Sequence, residues 1–160
     1  MRNATLLFLI KRSKGKITDI CLAMKKKGFG AGRYNGAGGK VENNETIKKA
    51  SIRETEEEIG VEVKQIEKVA KLSFTFPHNP SWSQIVHVYL GEKWEGNIKE
   101  SEEMNPKWFK IKDIPYKEMW PDDIFWLPKV ISGEKVIASF TFGEKDLILE
   151  KEVNTVNSLN

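Results

Sequence analysis

The sequence predicts a single-domain α/β fold in which helices pack on a β-rich mixed sheet. Its 160 residues suit one domain with a substantial core. Most apolar residues lie in short β-branched or aliphatic runs, and only two stretches have clear helical spacing. A hydrophobic content of 39% with 31% charged residues is typical of a soluble globular chain and argues against wholesale disorder.

The first predicted element is a β-hairpin. Residues 5–10 and 17–24 are rich in β-branched or aliphatic side chains and are joined by a basic turn that contains a glycine. The apolar run 4–10 is far shorter than the roughly 20 residues that cross a bilayer, and lysines and arginines follow it instead of a cleavage site. The lone Cys21 excludes an internal disulfide framework and a cysteine-based zinc site. We therefore expect a cytoplasmic protein that does not bind membranes.

A glycine-rich loop follows the hairpin and leads into a helix. Six of the twelve glycines lie within residues 28–39, a density that regular elements do not tolerate. The pattern becomes helical from Asn44 to Ile59. Asn43 or Asn44 can cap the start of this helix, and Gly60 suits a left-handed residue at its end.

The rest of the chain contains further strands and a second helix. Strands are predicted at 61–76, 84–90, 108–111, 136–142 and 147–149. Asp113-Ile114-Pro115 resembles a helix start, and another helix opens at Trp120-Pro121, where Pro128 would bend or end it. The prediction is one domain over residues 1–153 and a frayed polar tail over 154–160.

The net charge of +3 hides an uneven distribution along the chain. Residues 1–49 carry twelve basic and three acidic side chains, residues 50–103 carry six and eleven, and residues 104–160 carry eight and nine. A basic first third beside an acidic middle favours either a nucleic-acid arm or a site that handles an anion together with a cation. Solvated charged faces are commoner than both.

The first helix has a carboxylate side and a packing side. At about 100° per residue, three acidic side chains fall within one arc: Glu54, Glu57 and Glu58. Ile52, Thr55 and Ile59 lie on another arc. A solvated acidic face would explain this pattern. Alternatively, a divalent cation offsets the repulsion between the carboxylates, and the all-oxygen donors then favour Mg²⁺ or Mn²⁺ over zinc.

The glycine loop and this helix together form one extended motif. Gly39 is followed by five residues, Glu45, seven residues and then the run Arg53-Glu54-Thr55-Glu56-Glu57-Glu58-Ile59-Gly60-Val61. The pattern resembles the Nudix box, the loop–helix–loop signature of hydrolases that act on nucleoside diphosphates linked to another group. Thr55 departs from it, because the box has an aliphatic side chain there.

The resemblance implies a Nudix-type α/β/α sandwich with a mixed sheet and a Mg²⁺-dependent reaction in which Mn²⁺ can substitute. Arg53 would orient the carboxylates through an ion pair, and Glu45 would fix the loop. The implied metal ligands all supply oxygen; they are the Gly39 carbonyl, Glu54, Glu57, Glu58 and Glu103. Glu103 lies outside the box and could instead activate water.

Segments outside the box resemble the MutT-homologue branch, whose members hydrolyse oxidised purine nucleoside triphosphates such as 8-oxo-dGTP. These segments are residues 25–36, Ser101-Glu102-Glu103-Met104 and residues 120–126. Tyr34 replaces the usual tryptophan, and Ser83 and Gln84 lie near positions that are apolar in the branch. The implied substrate-binding residues line a base pocket: Thr5, Lys25, Phe29, Asn35, Phe74, Trp120, Asp122, Asp123 and Trp126.

Within this pocket, Asn35, Asp122 and Asp123 would bind the purine edge, Trp120 would stack on the ring and Lys25 would face the phosphates. From the residues alone, the aromatics could equally fill a core. The adjacent aspartates could simply occupy the first turn of a helix, where carboxylates favour the positive dipole end. If the two carboxylates are instead buried together they share a proton, so that one donates while the other accepts.

The leading hypothesis is an enzyme that hydrolyses oxidised purine nucleoside triphosphates to the monophosphate and pyrophosphate. Such a reaction sanitises the nucleotide pool and avoids DNA damage. The alternatives are a Nudix hydrolase of another nucleotide, such as a dinucleoside polyphosphate or a nucleotide sugar, and a non-catalytic nucleotide-binding module. The complete set of box carboxylates disfavours the module. We expect a monomer whose partner is a small nucleotide, without stable nucleic-acid binding.

Overall fold

One mixed sheet of eight strands organises the protein, and a computed structural model describes residues 1–159 of it. The strands are β1 (Arg2–Ser13), β2 (Lys16–Lys25), β3 (Tyr34–Asn35), β4 (Glu62–Thr75), β5 (Gln84–Glu95), β6 (Met104–Lys110), β7 (Lys135–Phe142) and β8 (Ile148–Val156). The two α-helices are α1 (Ile47–Ile59) and α2 (Asp123–Ile131). Within the described range, neither helix is long and apolar enough to span a membrane.

The sheet order leaves room for the glycine-rich loop beside β1. The order is β3-β2-β1-β5-β4-β7-β8, and β6 also pairs with β2. The β1–β5 and β4–β7 pairs are parallel and the others antiparallel. Strand β2 pairs with β1 only as far as Ile20 and then continues beside β6 and β3. Ala37 and Lys40 of the loop bridge to β1 at Leu7 and Ala4 instead.

The helices cover opposite faces of the sheet. Along β1, Leu7 and Leu9 join the core cluster that contains Ile59 at the end of α1. The alternate residue Phe8 joins the cluster that contains Trp126 of α2, because successive strand side chains point to opposite faces. A strand that is covered on both faces needs no polar face, which explains why residues 4–10 do not alternate between apolar and polar side chains. The result is the α/β/α sandwich that the sequence predicted.

The start of α1 differs from the prediction. Thr46, not Asn43 or Asn44, is the capping residue, and its hydroxyl accepts the Lys49 N–H at 3.1 Å. Asn44 instead adopts a left-handed conformation (φ 66°) in the preceding turn, a conformation that asparagine tolerates well. Gly60 ends the helix with φ 79°, as predicted.

The second half of the chain differs at three further places. The predicted helix start at residues 113–115 forms only short 3-10 turns, at Ile111–Asp113 and Tyr116–Glu118. Pro128 lies inside α2, which continues to Ile131. Where the sequence predicted a frayed tail from residue 154, β8 continues to Val156 and pairs with β7 over those residues.

Candidate active site

Arg53 of α1 joins the helix to the glycine-rich loop. Its guanidinium donates two hydrogen bonds to Glu45, at 2.6 and 3.0 Å, and further bonds to Glu54 at 2.9 Å and Glu57 at 3.3 Å. The bond from Arg53 lowers the pKa of Glu45 to about 2, with a smaller contribution from the Glu42 N–H. A planar guanidinium with several donors can hold several carboxylates in fixed directions. Arg53 therefore fixes both the loop and the helix carboxylates.

Glu58 is the buried member of the acidic face. Only 5% of it is exposed, and one carboxylate oxygen accepts the Gly38 N–H at 2.8 Å. Burial raises its pKa to about 8, and the charge of Glu54 adds to the effect. Burial also raises the pKa of Glu54. The helix therefore holds crowded, partly desolvated carboxylates, which a fully solvated acidic face would not contain.

The absence of a side chain at Gly39 leaves room for the carboxyl group of Glu54. A Cβ at this position would lie 2.6 Å from the carboxyl carbon of Glu54, so any side chain would displace that group. The Gly39 carbonyl accepts the backbone N–H of Thr5 at 2.9 Å. This oxygen is therefore engaged in pairing with β1, but a carbonyl oxygen has two lone pairs, so ligation of a metal by Gly39 stays a prediction.

The carboxylates line an open groove of about 680 Å³. Glu54, Glu57 and Glu58 line one part of it. Glu103, directly before β6, and Lys25, at the end of β2, line another part, with 3.9 Å between the Lys25 Nζ and a Glu103 oxygen. Within residues 1–159, no three acidic, imidazole or thiol side chains are gathered into a preformed metal cluster. The donors nevertheless fit a hard divalent cation, because all of them are oxygens. Burial opposes the ionisation of Glu54 and Glu58, and a bound cation would offset that penalty.

A second cavity, of about 290 Å³, lies on the α2 face of the sheet. All nine predicted substrate-binding residues line it: Thr5, Lys25, Phe29, Asn35, Phe74, Trp120, Asp122, Asp123 and Trp126. Phe76 and Phe142 line it as well and were not predicted from the sequence. Their spacing offered a clue, because Phe76 and Phe142 each stand two residues after another phenylalanine, on the same strand face.

The two aspartates at the start of α2 are almost completely buried. Asp122 is 2% exposed and Asp123 is 3% exposed. Asp122 occupies the position before the helix but makes no capping hydrogen bond; one of its oxygens accepts the indole N–H of Trp126 at 2.8 Å. Within the described part of the chain, the Oδ2 atom of Asp123 has no hydrogen-bond partner. The carboxylates therefore do not serve as exposed groups of a helix first turn.

Burial also changes the titration of this pair. It raises the pKa of Asp122 to about 6 and that of Asp123 as well, and the charge of Asp122 raises the Asp123 pKa further. Adjacent buried carboxyls of this kind resist simultaneous ionisation. A cavity wall that can both donate and accept a hydrogen bond follows from this arrangement.

Aromatic side chains form the rest of the cavity. The Phe29 ring lies 5.0 Å from that of Trp120 and 5.1 Å from that of Trp82. Phe74 stacks on Phe140 at 5.8 Å. Flat apolar walls combined with a few fixed polar groups are typical of sites for planar ligands.

The cavity and the groove are parts of one continuous site. Both are lined by the same five residues, Lys25, Gly38, Gly39, Lys40 and Glu58. One end is therefore aromatic with two protonatable aspartates, and the other end carries the helix carboxylates.

The NUDIX domain model matches residues 1–130. The chain belongs to the Nudix family. The "Oxidized purine nucleoside triphosphate hydrolase" of Mus musculus is 42% identical over 139 residues, which cover 87% of this chain and 88% of the mouse protein. The protein of the same name from Danio rerio is 40% identical over 140 residues, or 88% of this chain and 89% of that one.

A solved structure supports the fold of this Nudix protein. The MutT protein of Bacillus halodurans superposes with a TM-score of 0.82 over 96% of this chain and 98% of its own, at 20% identity. The predicted family, sandwich fold and hydrolytic class are confirmed. Nudix hydrolases generally use divalent metal ions.

Proposed function

We propose that this Nudix protein hydrolyses oxidised purine nucleoside triphosphates, such as 8-oxo-dGTP, to the monophosphate and pyrophosphate, and so sanitises the nucleotide pool. The continuity of the aromatic cavity with the carboxylate groove carries the proposal, because a nucleoside triphosphate needs a planar base site and a phosphate site within one molecule's length. The mouse and zebrafish relatives, which bear the name of such a hydrolase, support the choice of an oxidised purine.

The base end would recognise the purine through the aspartate pair. Oxidation of a purine ring changes which of its edge atoms donate and which accept hydrogen bonds. A pair that shares one proton offers a donor from one carboxyl and an acceptor from the other, so Asp122 and Asp123 can match an altered edge. In this proposal Asn35 binds the same edge, Trp120 stacks on the ring, and the other walls exclude water.

The remaining walls of the base end follow from the same cavity. Phe29, Phe74 and Trp126 would enclose the ring, and Thr5 would close the floor. Lys25 lines both the cavity and the groove, so its ammonium would face the phosphates that lie between the two ends. A cation at that point partly neutralises the triphosphate and favours its binding.

The phosphate end would carry the hydrolysis. The residues that would hold Mg²⁺ are Glu54, Glu57, Glu58, Glu103 and, through its carbonyl, Gly39; the bound ion would neutralise the triphosphate and lower the pKa of a coordinated water. Arg53 keeps Glu54 and Glu57 oriented towards the groove. Water adds its oxygen to one of the two phosphorus atoms of the α–β bridge, the P–O bond from that phosphorus to the bridging oxygen breaks, and a proton from the water is released to solvent, which gives the monophosphate and pyrophosphate. The cytoplasmic location and monomeric state expected from the sequence belong to the same proposal.

A substrate panel tests the proposal. The purified protein is incubated with Mg²⁺ and, separately, 8-oxo-dGTP, 2-hydroxy-dATP, the undamaged triphosphates, a dinucleoside polyphosphate and a nucleotide sugar, and release of monophosphate and pyrophosphate is measured. The oxidised purines should be turned over fastest. Faster turnover of a nucleotide sugar or a dinucleoside polyphosphate would replace the proposed substrate. Tight nucleotide binding without any turnover would favour a binding module.

A further inference from the structure

Arg33, in the glycine-rich loop, lies directly against the stacking face of Trp120. Its guanidinium carbon is 4.2 Å from the centre of the indole ring. One guanidinium nitrogen also pairs with Asp146 at 2.8 Å, and about three quarters of both side chains is shielded from solvent. The guanidinium thus covers one face of Trp120, and the Phe29 ring also packs against the indole, with 5.0 Å between the ring centres.

The turn that supplies Asp146 has an unusual backbone. Lys145 and Asp146 both adopt φ 57°, in the left-handed region that non-glycine residues rarely enter. Such conformations persist only where surrounding contacts enforce them, and they cluster at functional sites. Here the strained turn joins β7 to β8 and presents the Asp146 carboxylate to Arg33. Two parts of the chain more than a hundred residues apart are thus arranged to hold one guanidinium.

The charge of Arg33 also acts on the aspartate pair. This positive charge lowers the pKa of both Asp122 and Asp123, against the larger opposing effect of burial. The indole N–H of Trp126 and the hydroxyl of Tyr116 are the other polar groups close to the pair. Further charged groups that line the cavity are Arg2, Lys25, Lys40 and Glu58.

We propose that Arg33, anchored by Asp146, is a positioning residue for base recognition: it fixes the orientation of Trp120 and keeps a positive charge beside the aspartate pair. This inference rests on the proposed function, because it gives the cavity a purine as its ligand. Arg33 itself touches neither the phosphates nor the reacting atoms in this scheme. Its loss should therefore weaken binding of the base and leave the chemical step intact.

The experiment compares Arg33→Met, Arg33→Lys and Asp146→Asn with the wild type. Asparagine tolerates the left-handed region, so Asp146→Asn removes the ion pair without disturbing the turn. Arg12→Met is the matched control, because Arg12 makes a similar ion pair with Glu92, at 2.8 Å, outside the cavity. KM, kcat and the pH profile of kcat/KM are measured with 8-oxo-dGTP. Binding of 8-oxo-dGMP is followed by tryptophan fluorescence.

Arg33→Met should raise KM and weaken 8-oxo-dGMP binding about tenfold, the scale of a desolvated cation–π contact, with kcat within about twofold of wild type. The limb of the pH profile that reports the aspartate pair should move to higher pH. Arg33→Lys should restore most of the affinity and the pH profile, and Asp146→Asn should weaken binding severalfold. Arg12→Met should leave KM, 8-oxo-dGMP binding and the pH profile at their wild-type values.

Wild-type KM in both Arg33→Met and Asp146→Asn would overturn the inference. It would also fail if Arg33→Lys were as defective as Arg33→Met with an unmoved pH profile, because shape and not charge would then matter. If Arg33→Met does not fold, Asp146→Asn and Arg33→Lys decide by the same criteria. Failure of the proposed function is distinguishable, since the wild type would then neither turn over 8-oxo-dGTP nor bind 8-oxo-dGMP.

Discussion

The indole N–H of Trp126 donates a hydrogen bond of 2.8 Å to Asp122, and both side chains are almost completely buried. The bond supports a negative charge on Asp122, whereas burial and the neighbouring Asp122 both oppose ionisation of Asp123. Asp123 therefore keeps its proton to higher pH than Asp122. The Trp126 hydrogen bond thus favours Asp122 as the acceptor of the pair.

Replacing Asp122 by asparagine should stabilise the protein at alkaline pH. The pKa of Asp122 is about 6 in the folded protein against an ordinary value of 3.8. Its contribution to the free energy of unfolding is therefore fully present below about pH 4 and is lost as the pH rises through about 6. The wild type bears the full penalty of the buried charge at pH 8. Asp122→Asn should raise Tm by several degrees at pH 8 and by much less at pH 4.5. An equal gain at both pH values would contradict this account.

Trp126→Phe should destabilise the protein through the carboxylate that it leaves behind. The variant retains an aromatic ring but removes the indole N–H that donates to Asp122, and a buried acceptor that loses a donor costs about 1–3 kcal/mol. Chemical denaturation at pH 8 measures the loss. Trp108→Phe is the control, because Trp108 lies on the other face of the sheet and is only partly buried. An equal loss of stability in Trp108→Phe would show that the Trp126–Asp122 hydrogen bond is not the cause.

Removal of divalent metal should stop the reaction and lower Tm, because a ligand that binds only the folded state stabilises it. Glu57→Gln and Glu58→Gln should each reduce Mg²⁺-dependent kcat by at least a hundredfold, an order of magnitude typical of lost transition-state electrostatics. Glu56→Gln is the matched control, since Glu56 is exposed on the same helix and does not line the groove. Full Mg²⁺-dependent activity of both Glu57→Gln and Glu58→Gln would refute the proposed metal ligands.

Glu45→Gln should lower kcat without removing a proposed metal donor. Glu45 accepts two bonds from Arg53, and the neutral amide would hold the guanidinium less firmly. Glu54 and Glu57 would then lose their fixed orientation, which should cost about tenfold in kcat. Glu42→Gln provides the comparison, because Glu42 lies 3.9 Å from Arg53 and is mostly exposed. In steady-state kinetics, Glu45→Gln should have the lower kcat of the two variants. Equal kcat values would show that the hydrogen bonds between Arg53 and Glu45 do not matter for the reaction.

Local periodicity predicted the strands and the acidic helix, whereas the sandwich arrangement was implied by the resemblance to the Nudix family. Apolar runs located the strands, and Gly60 marked the helix end correctly. The capping residue could not be decided locally, because asparagine and threonine are both good caps and the left-handed turn at Asn44 shifted the helix start to Thr46. The polar residues 154–156 form an edge strand because β7 offers them backbone partners, which local composition does not reveal.

The members of the site were predicted where segments of the chain resemble those of a known family, whereas the contacts between distant side chains were not. The box spacing placed the carboxylates on one helix side, but it did not reveal that the Gly39 carbonyl pairs with Thr5. The Arg33–Asp146 pair joins residues that no short motif links. Burial of Asp122 and Asp123 likewise depends on packing of α2 against the sheet, so the residues alone favoured the first turn of a helix over a buried pair.

The ratio of kcat/KM for 8-oxo-dGTP to that for dGTP tests most directly whether one site both selects an oxidised base and cleaves the triphosphate. The wild type should favour 8-oxo-dGTP at least tenfold, equivalent to about 1.4 kcal/mol of transition-state binding. Asp123→Asn should bring this ratio towards one, whereas Glu58→Gln should slow both substrates and leave the ratio unchanged. A wild-type ratio near one, or wild-type turnover of 8-oxo-dGTP by both Asp122→Asn and Asp123→Asn, would contradict the account.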